Sequence, residues 1–147
     1  MARRRIDGTE GMNALSRVAA FFSEHARGTA SAAAIPEQLR DDFLRATRFA
    51  LEEIAERHPG RSVEIRVPYA GAVQACEGQQ HRRGTPPNVV EAEMPVFLGL
   101  VLGHISWQES CETGAVQASG TRSNLSTLFP LFTPATLERY RDTGDKS

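Results

Sequence analysis

Residues 95–102 read Pro-Val-Phe-Leu-Gly-Leu-Val-Leu, a segment with no polar side chain on any face. Pro95 suits the first turn of a helix, where its missing N–H is not needed, and Gly103 suits its end. A helix over 95–102 that is apolar almost all round has no side to turn to water. It is buried on more than one side or lines a cavity. The rest of the chain has to supply the cover.

The flanking residues give an order of elements. Val89 and Val90 mark a strand over 88–92 ahead of this helix. After it, Ser106-Trp-Gln-Glu109 has capping-box spacing and opens a short helix ending at Gly114. Residues 115–119 read as a strand, Gly120 as a turn, and Leu125, Leu128 and Phe129 as the start of a last, amphipathic helix interrupted by Pro130 and Pro134. Upstream, Met12, Leu15, Val18, Ala19 and Phe22 recur at helical spacing, predicting a helix from Glu10 to about Ala26. The small residues from Gly28 to Ala34 read as a linker or loose loop. Leu39, Phe43, Thr47, Ala50, Leu51, Ile54 and Ala55 form the stripe of a long helix from Pro36 to about Arg57, stopped by His58-Pro59-Gly60. The period then changes: Val63, Ile65 and Val67 alternate with Glu64 and Arg66, a half-buried strand. Pro68-Tyr69-Ala70-Gly71 turns the chain into a second strand at about 72–77, antiparallel to the first. The fold class expected is α/β (α+β): a small, mainly antiparallel sheet of four or five strands covered by helices. One domain over 10–135 is expected, with a disordered tail at 1–9 and a charged one at 136–147.

Composition removes several functions. A net charge of -1 over 147 residues gives no global basic field for nucleic acid, and Arg3-Arg4-Arg5 is a local, terminal run. No apolar stretch approaches the roughly 20 residues that span a bilayer. The N-terminal arginines are not followed by the apolar core of a secretion signal, so a cytoplasmic protein is expected. Cys76 and Cys111 lack Cys-x-x-Cys spacing and are expected as reduced thiols.

The run from Val89 to Phe132, with Gly114 and Gly120 bracketing Ala115-Val-Gln-Ala-Ser119, resembles sterol-carrier-type domains. Arg-Val-Pro at 66–68, Ala-Val-Gln at 72–74 and His-Arg-Arg-Gly-Thr-Pro-Pro-Asn-Val-Val-Glu at 81–91 are similar to actinobacterial single-domain members of that family. A related domain forms the C-terminal part of mycothiol-dependent maleylpyruvate isomerases. The resemblance covers about residues 36–132 and implies the sterol-carrier fold, an apolar ligand such as a fatty acyl chain or sterol, and no catalytic set or cofactor to carry over.

Candidate site residues follow. Phe97, Leu98, Val101 and Leu102, with Leu125, Leu128, Phe129 and Phe132, form either an ordinary packed core or the wall of an apolar pocket. Periodicity does not separate the two. His81, Arg82 and Arg83 suit a headgroup site for a carboxylate or phosphate; a solvated loop is the plainer reading. Thr85-Pro86-Pro87 stiffens the entry to a strand or the rim of a pocket, and Asn88 is expected to bond its own backbone. Glu91 and Glu93 alternate and share a face, with no nucleophile or metal set beside them. Trp107 is expected as a packing anchor. His25, His58, His81 and His104 are scattered, so no metal site is expected. No Gly-x-Ser-x-Gly elbow, Walker loop or Gly-x-Gly-x-x-Gly run occurs, and no catalytic residue is assigned. The expected function is a non-enzymatic binding or carrier module for a lipid-like or apolar small molecule. The alternative is an accessory domain that serves a thiol-dependent enzyme or forms a homodimer.

Overall fold

Strand β1 (Val63–Val67) buries Val63, Ile65 and Val67 and leaves Glu64 and Arg66 half-buried on its other face. The computed structural model describes residues 6–25, 35–78 and 88–138. β2 (Gly71–Ala75) returns antiparallel to β1, pairing Val63 with Ala75 and Val67 with Gly71. The connecting turn is closed by the Ala70 N–H donating to the Val67 carbonyl at 3.0 Å. Pro68 occupies its second position, and Tyr69, third, has φ 68°. This is a type II turn, whose third position ordinarily takes glycine or asparagine.

Strand β3 (Asn88–Ala92) lies parallel to β1, and β4 (Val116–Ser119) antiparallel to β3, giving the order β2-β1-β3-β4. Two of the three pairings are antiparallel, so the sheet is mainly antiparallel with a parallel centre. Glu64, Arg66 and Glu91 lie on the outer face. There Arg66 Nη2 pairs with Glu64 at 3.0 Å, and Arg61 Nε donates to Gln74 at 3.0 Å.

Helix α1 (Gly8–Glu24) starts two residues before the sequence pattern suggests, because the Asp7 carboxylate accepts from the N–H groups of Thr9 and Glu10 at 3.0 and 3.3 Å. It lies against α2 (Arg40–Arg57), which is preceded by a tight turn at Glu37–Leu39. Gly11 faces the Phe49 ring so closely that a Cβ there would strike it. Edge-to-face contacts of Phe21 and Phe22 with Phe43 hold the far end of the pair at 5.9 and 6.0 Å, and Arg17 meets Asp42 at 2.9 Å.

Helix α3 (Met94–Leu102) buries every residue from Pro95 to Leu102 and ends on Gly103, φ 81°. Helix α4 (Trp107–Glu112) begins on Ser106, whose hydroxyl accepts from the Glu109 N–H at 3.0 Å, and is followed by Gly114, φ 82°. The amphipathic helix expected to start with Leu125, Leu128 and Phe129 does not form there. A single tight turn at Ser126–Leu128 gives way to extended backbone at Phe129, with φ -111° and ψ 145°. Pro130 is the cause: its ring disfavours helical geometry in the residue before it and it brings no N–H to a ladder. Helical geometry resumes at 134–138.

Two glycines differ in what they protect. Gly60, φ 147°, lies where a Cβ would run into the Cys76 carbonyl; Gly114 has open space around it. Gly60→Ala is therefore expected to lower stability by about 2–4 kcal/mol, and Gly114→Ala by about 1 kcal/mol, from backbone conformation alone. Urea midpoints of the two variants check this, and equal midpoints would contradict it.

Candidate functional site

The C-terminal segment is strapped across the end of α3. The N–H groups of Leu131 and Phe132 both donate to the Val101 carbonyl, at 2.8 and 3.2 Å. Arg57 of α2 donates through Nη1 to the Leu131 carbonyl at 3.1 Å, and its guanidinium carbon lies 5.0 Å from the centre of the Phe132 ring. Phe132 stacks on Phe49 at 6.0 Å. Phe129 meets Phe97 edge-on at 6.4 Å and stacks on Trp107 at 6.1 Å. Phe97, Leu98, Val101, Leu102, Leu125, Leu128 and Phe132 are all buried, and half-buried Phe129 packs against them. The eight apolar candidates thus belong to one cluster, shared with the inner face of the sheet.

His81, Arg82, Arg83 and Thr85-Pro86-Pro87 lie outside the described residues. Asn88, just after them, is 2% exposed and does not bond its own backbone. Its Nδ2 donates to the Ser62 carbonyl at 2.7 Å, and its Oδ1 accepts from the Arg122 N–H at 2.9 Å. One side chain therefore ties the start of β1 to the start of β3 and to the chain after β4. Those partners are 26 and 34 residues away, a distance that turn chemistry does not reveal.

Glu91 and Glu93 do not form an acid–base pair on one strand face. Glu91 is half-buried on β3; Glu93 lies past the strand, at the residue that caps α3. Both border a hollow of about 630 Å³ whose walls include Pro68, Tyr69, Met94 and Val96. Tyr69 is 98% exposed, the only large hydrophobic side chain so exposed among the described residues. Holding a non-glycine residue in left-handed geometry costs about 1–2 kcal/mol, and this one recovers nothing from packing. Sequence reasoning passed over Tyr69, although a bulky residue after proline where a type II turn favours glycine was a signal.

His25 and His104 serve local packing. His25 stacks on Phe21 at 4.3 Å with its Nδ1 3.0 Å from the Phe21 carbonyl, and His104 lies 5.3 Å from the Phe22 ring. Among the described residues no group of three His, Cys, Asp or Glu side chains is placed to hold a metal ion. No described helix is long and apolar enough to cross a membrane. Cys76, just past β2, and Cys111, on α4, are half-buried free thiols. Burial raises the pKa of both, and the Glu112 carboxylate adds to the rise at Cys111.

Residues 39–131 match the sequence model of a family described as a bacterial SCP ortholog. That segment runs from the turn before α2 to the strap on α3 and leaves α1 outside it. Comparison with curated proteins gives no match.

The thiols offer a direct check on the site's electrostatics. Burial disfavours the charged thiolate, so alkylation by iodoacetamide should reach its half-maximal rate at higher pH in the folded chain than in urea. Rate–pH profiles of the Cys76→Ser and Cys111→Ser variants report each remaining thiol, and a half-maximal pH below the unfolded value at either position would contradict the assignment.

Proposed function

The chain belongs to the bacterial SCP ortholog family, and we propose from that premise that it is a non-enzymatic binding module for a lipid-like or otherwise apolar small molecule. The observation that carries this reading is α3, a helix buried along eight consecutive residues, Pro95–Leu102. It stands between α2 and the strap that brings Leu125, Leu128, Phe129 and Phe132 to the same cluster. The ligand's apolar body displaces nothing polar there, and each Å² taken from water contributes about 25 cal/mol. His81, Arg82 and Arg83 remain our proposal for a headgroup site. Two free thiols favour the cytoplasm as its place of work.

A second reading has one observation in its favour. The outer face of the sheet, with Glu64, Arg66, Glu91 and Gln117, is not buried beneath any described helix. Such a face suits an accessory domain, docked on a thiol-dependent enzyme as in the related isomerases or on a second copy of this chain.

Uptake of a fluorescent fatty-acyl probe tests the first reading. If α3 walls a pocket, Leu102→Trp should abolish uptake and leave the melting temperature almost unchanged. In a filled core the same change costs about 1–3 kcal/mol through overpacking. A destabilised variant, together with a wild-type chain that takes up no probe, would refute acyl binding and promote the accessory reading.

A further inference from the structure

The hollow beside Tyr69 is a different place from the apolar cluster at the C-terminal end of α3. It lies between the β1–β2 turn and the start of that helix, and its volume of about 630 Å³ falls within the roughly 300–1,000 Å³ typical of small-molecule sites. It is lined by the apolar residues Pro68, Met94 and Val96 together with Tyr69, Glu91 and Glu93, and none of the described residues lining it is basic.

Charge decides which ligand it suits. Arg66 is the register partner of Glu91 across β1 and β3, but its guanidinium is turned to Glu64 at 3.0 Å. Among the described residues the Glu91 carboxylate is left without an ion pair or hydrogen bond, half-buried in the wall. Glu93 is the capping residue of α3, next to the positive end of the helix, though its side chain makes no capping hydrogen bond. Tyr69 is the second component: a ring that contributes nothing to the core and stands in costly backbone geometry at the edge of the hollow. A carboxylate beside an exposed aromatic face is the pairing that attracts an organic cation, which gives up its hydration more readily than a compact inorganic ion. A hard metal ion requires a cage of oxygens that these walls lack.

We propose that this hollow binds a small organic ammonium ion with a short apolar body, its charged head between Glu91 and the Tyr69 ring and its body on Met94 and Val96. This does not depend on acyl binding at the far end of α3.

Calorimetric titration with octyltrimethylammonium, below its micelle concentration, tests the proposal, with octanoate as the anion of matched chain. The cation should bind saturably at one site, and octanoate at least about tenfold more weakly. Tyr69→Gly and Glu91→Gln should each weaken the cation about fivefold or more, while Tyr69→Phe, which keeps the ring face, should bind like the wild type. Tyr69→Gly also relieves the left-handed backbone, so it should melt no lower than the wild type, which separates lost binding from lost folding. Leu102→Trp should leave the ammonium titration unchanged even if it abolishes acyl uptake. A wild-type chain that does not bind the cation, equal binding of the two ions, or an unchanged affinity in either Tyr69→Gly or Glu91→Gln would each overturn the proposal.

Discussion

Keeping water from every side of α3 is the requirement that the surrounding elements meet. An ordinary surface helix needs one covered stripe; this one needs a complete sheath, because Pro95 through Leu102 are all buried. α2 lies along it, and the strap at residues 131–132 closes its end through two N–H groups on the Val101 carbonyl. Gly99 lets the Ile105 side chain fold back against the helix where any Cβ would strike it. Gly103 turns the chain sharply enough for that return, its N–H reaching the Leu100 carbonyl at 3.2 Å. These polar devices are each worth about 1 kcal/mol net, whereas each large apolar side chain withdrawn from water contributes about 1.5–3 kcal/mol. The hydrogen bonds place the cover, and apolar burial holds it.

The segment matched to the family begins at residue 39, yet the fold draws on residues before it. α1 buries Leu15, Val18, Phe21 and Phe22, and its aromatic end reaches both α2, through Phe43, and the residue just past Gly103, through His104. Gly11 allows the close approach to Phe49. Because Phe49 also stacks on Phe132, one ring of α2 is shared between α1 and the strap. α1 and the C-terminal segment thus meet the apolar cluster through a common side chain.

Much of this architecture was legible where a single period dominates. The two-residue alternation placed β1, the valine pair at 89–90 placed β3 at its observed bounds, and the apolar run placed α3 within one residue. The Ser106 cap formed as its spacing implied. Relations between distant segments were not legible. The parallel pairing of β1 with β3 leaves no mark on either strand's pattern, and the bonds of Asn88 join residues that no local rule connects. At the C-terminus apolar spacing suggested a helix, but the geometry imposed before Pro130 prevailed. The apolar candidates were recognisable because burial selects hydrophobic side chains. Whether they pack solidly or leave room is a property of volume, which periodicity does not carry. Glu91 and Tyr69 come together only through register and a turn, so their hollow was visible only in three dimensions.

Native mass spectrometry of freshly purified chain, before and after organic extraction, tests the central claim most directly. A module that sheathes α3 in order to hold an apolar guest should fly partly at a mass above that of the bare chain. The excess should vanish on extraction and return when a fatty-acyl lipid is added back. A bare mass before extraction, unchanged by added lipid at concentrations well above those of carrier ligands, would contradict it and leave the helices as the walls of a filled core.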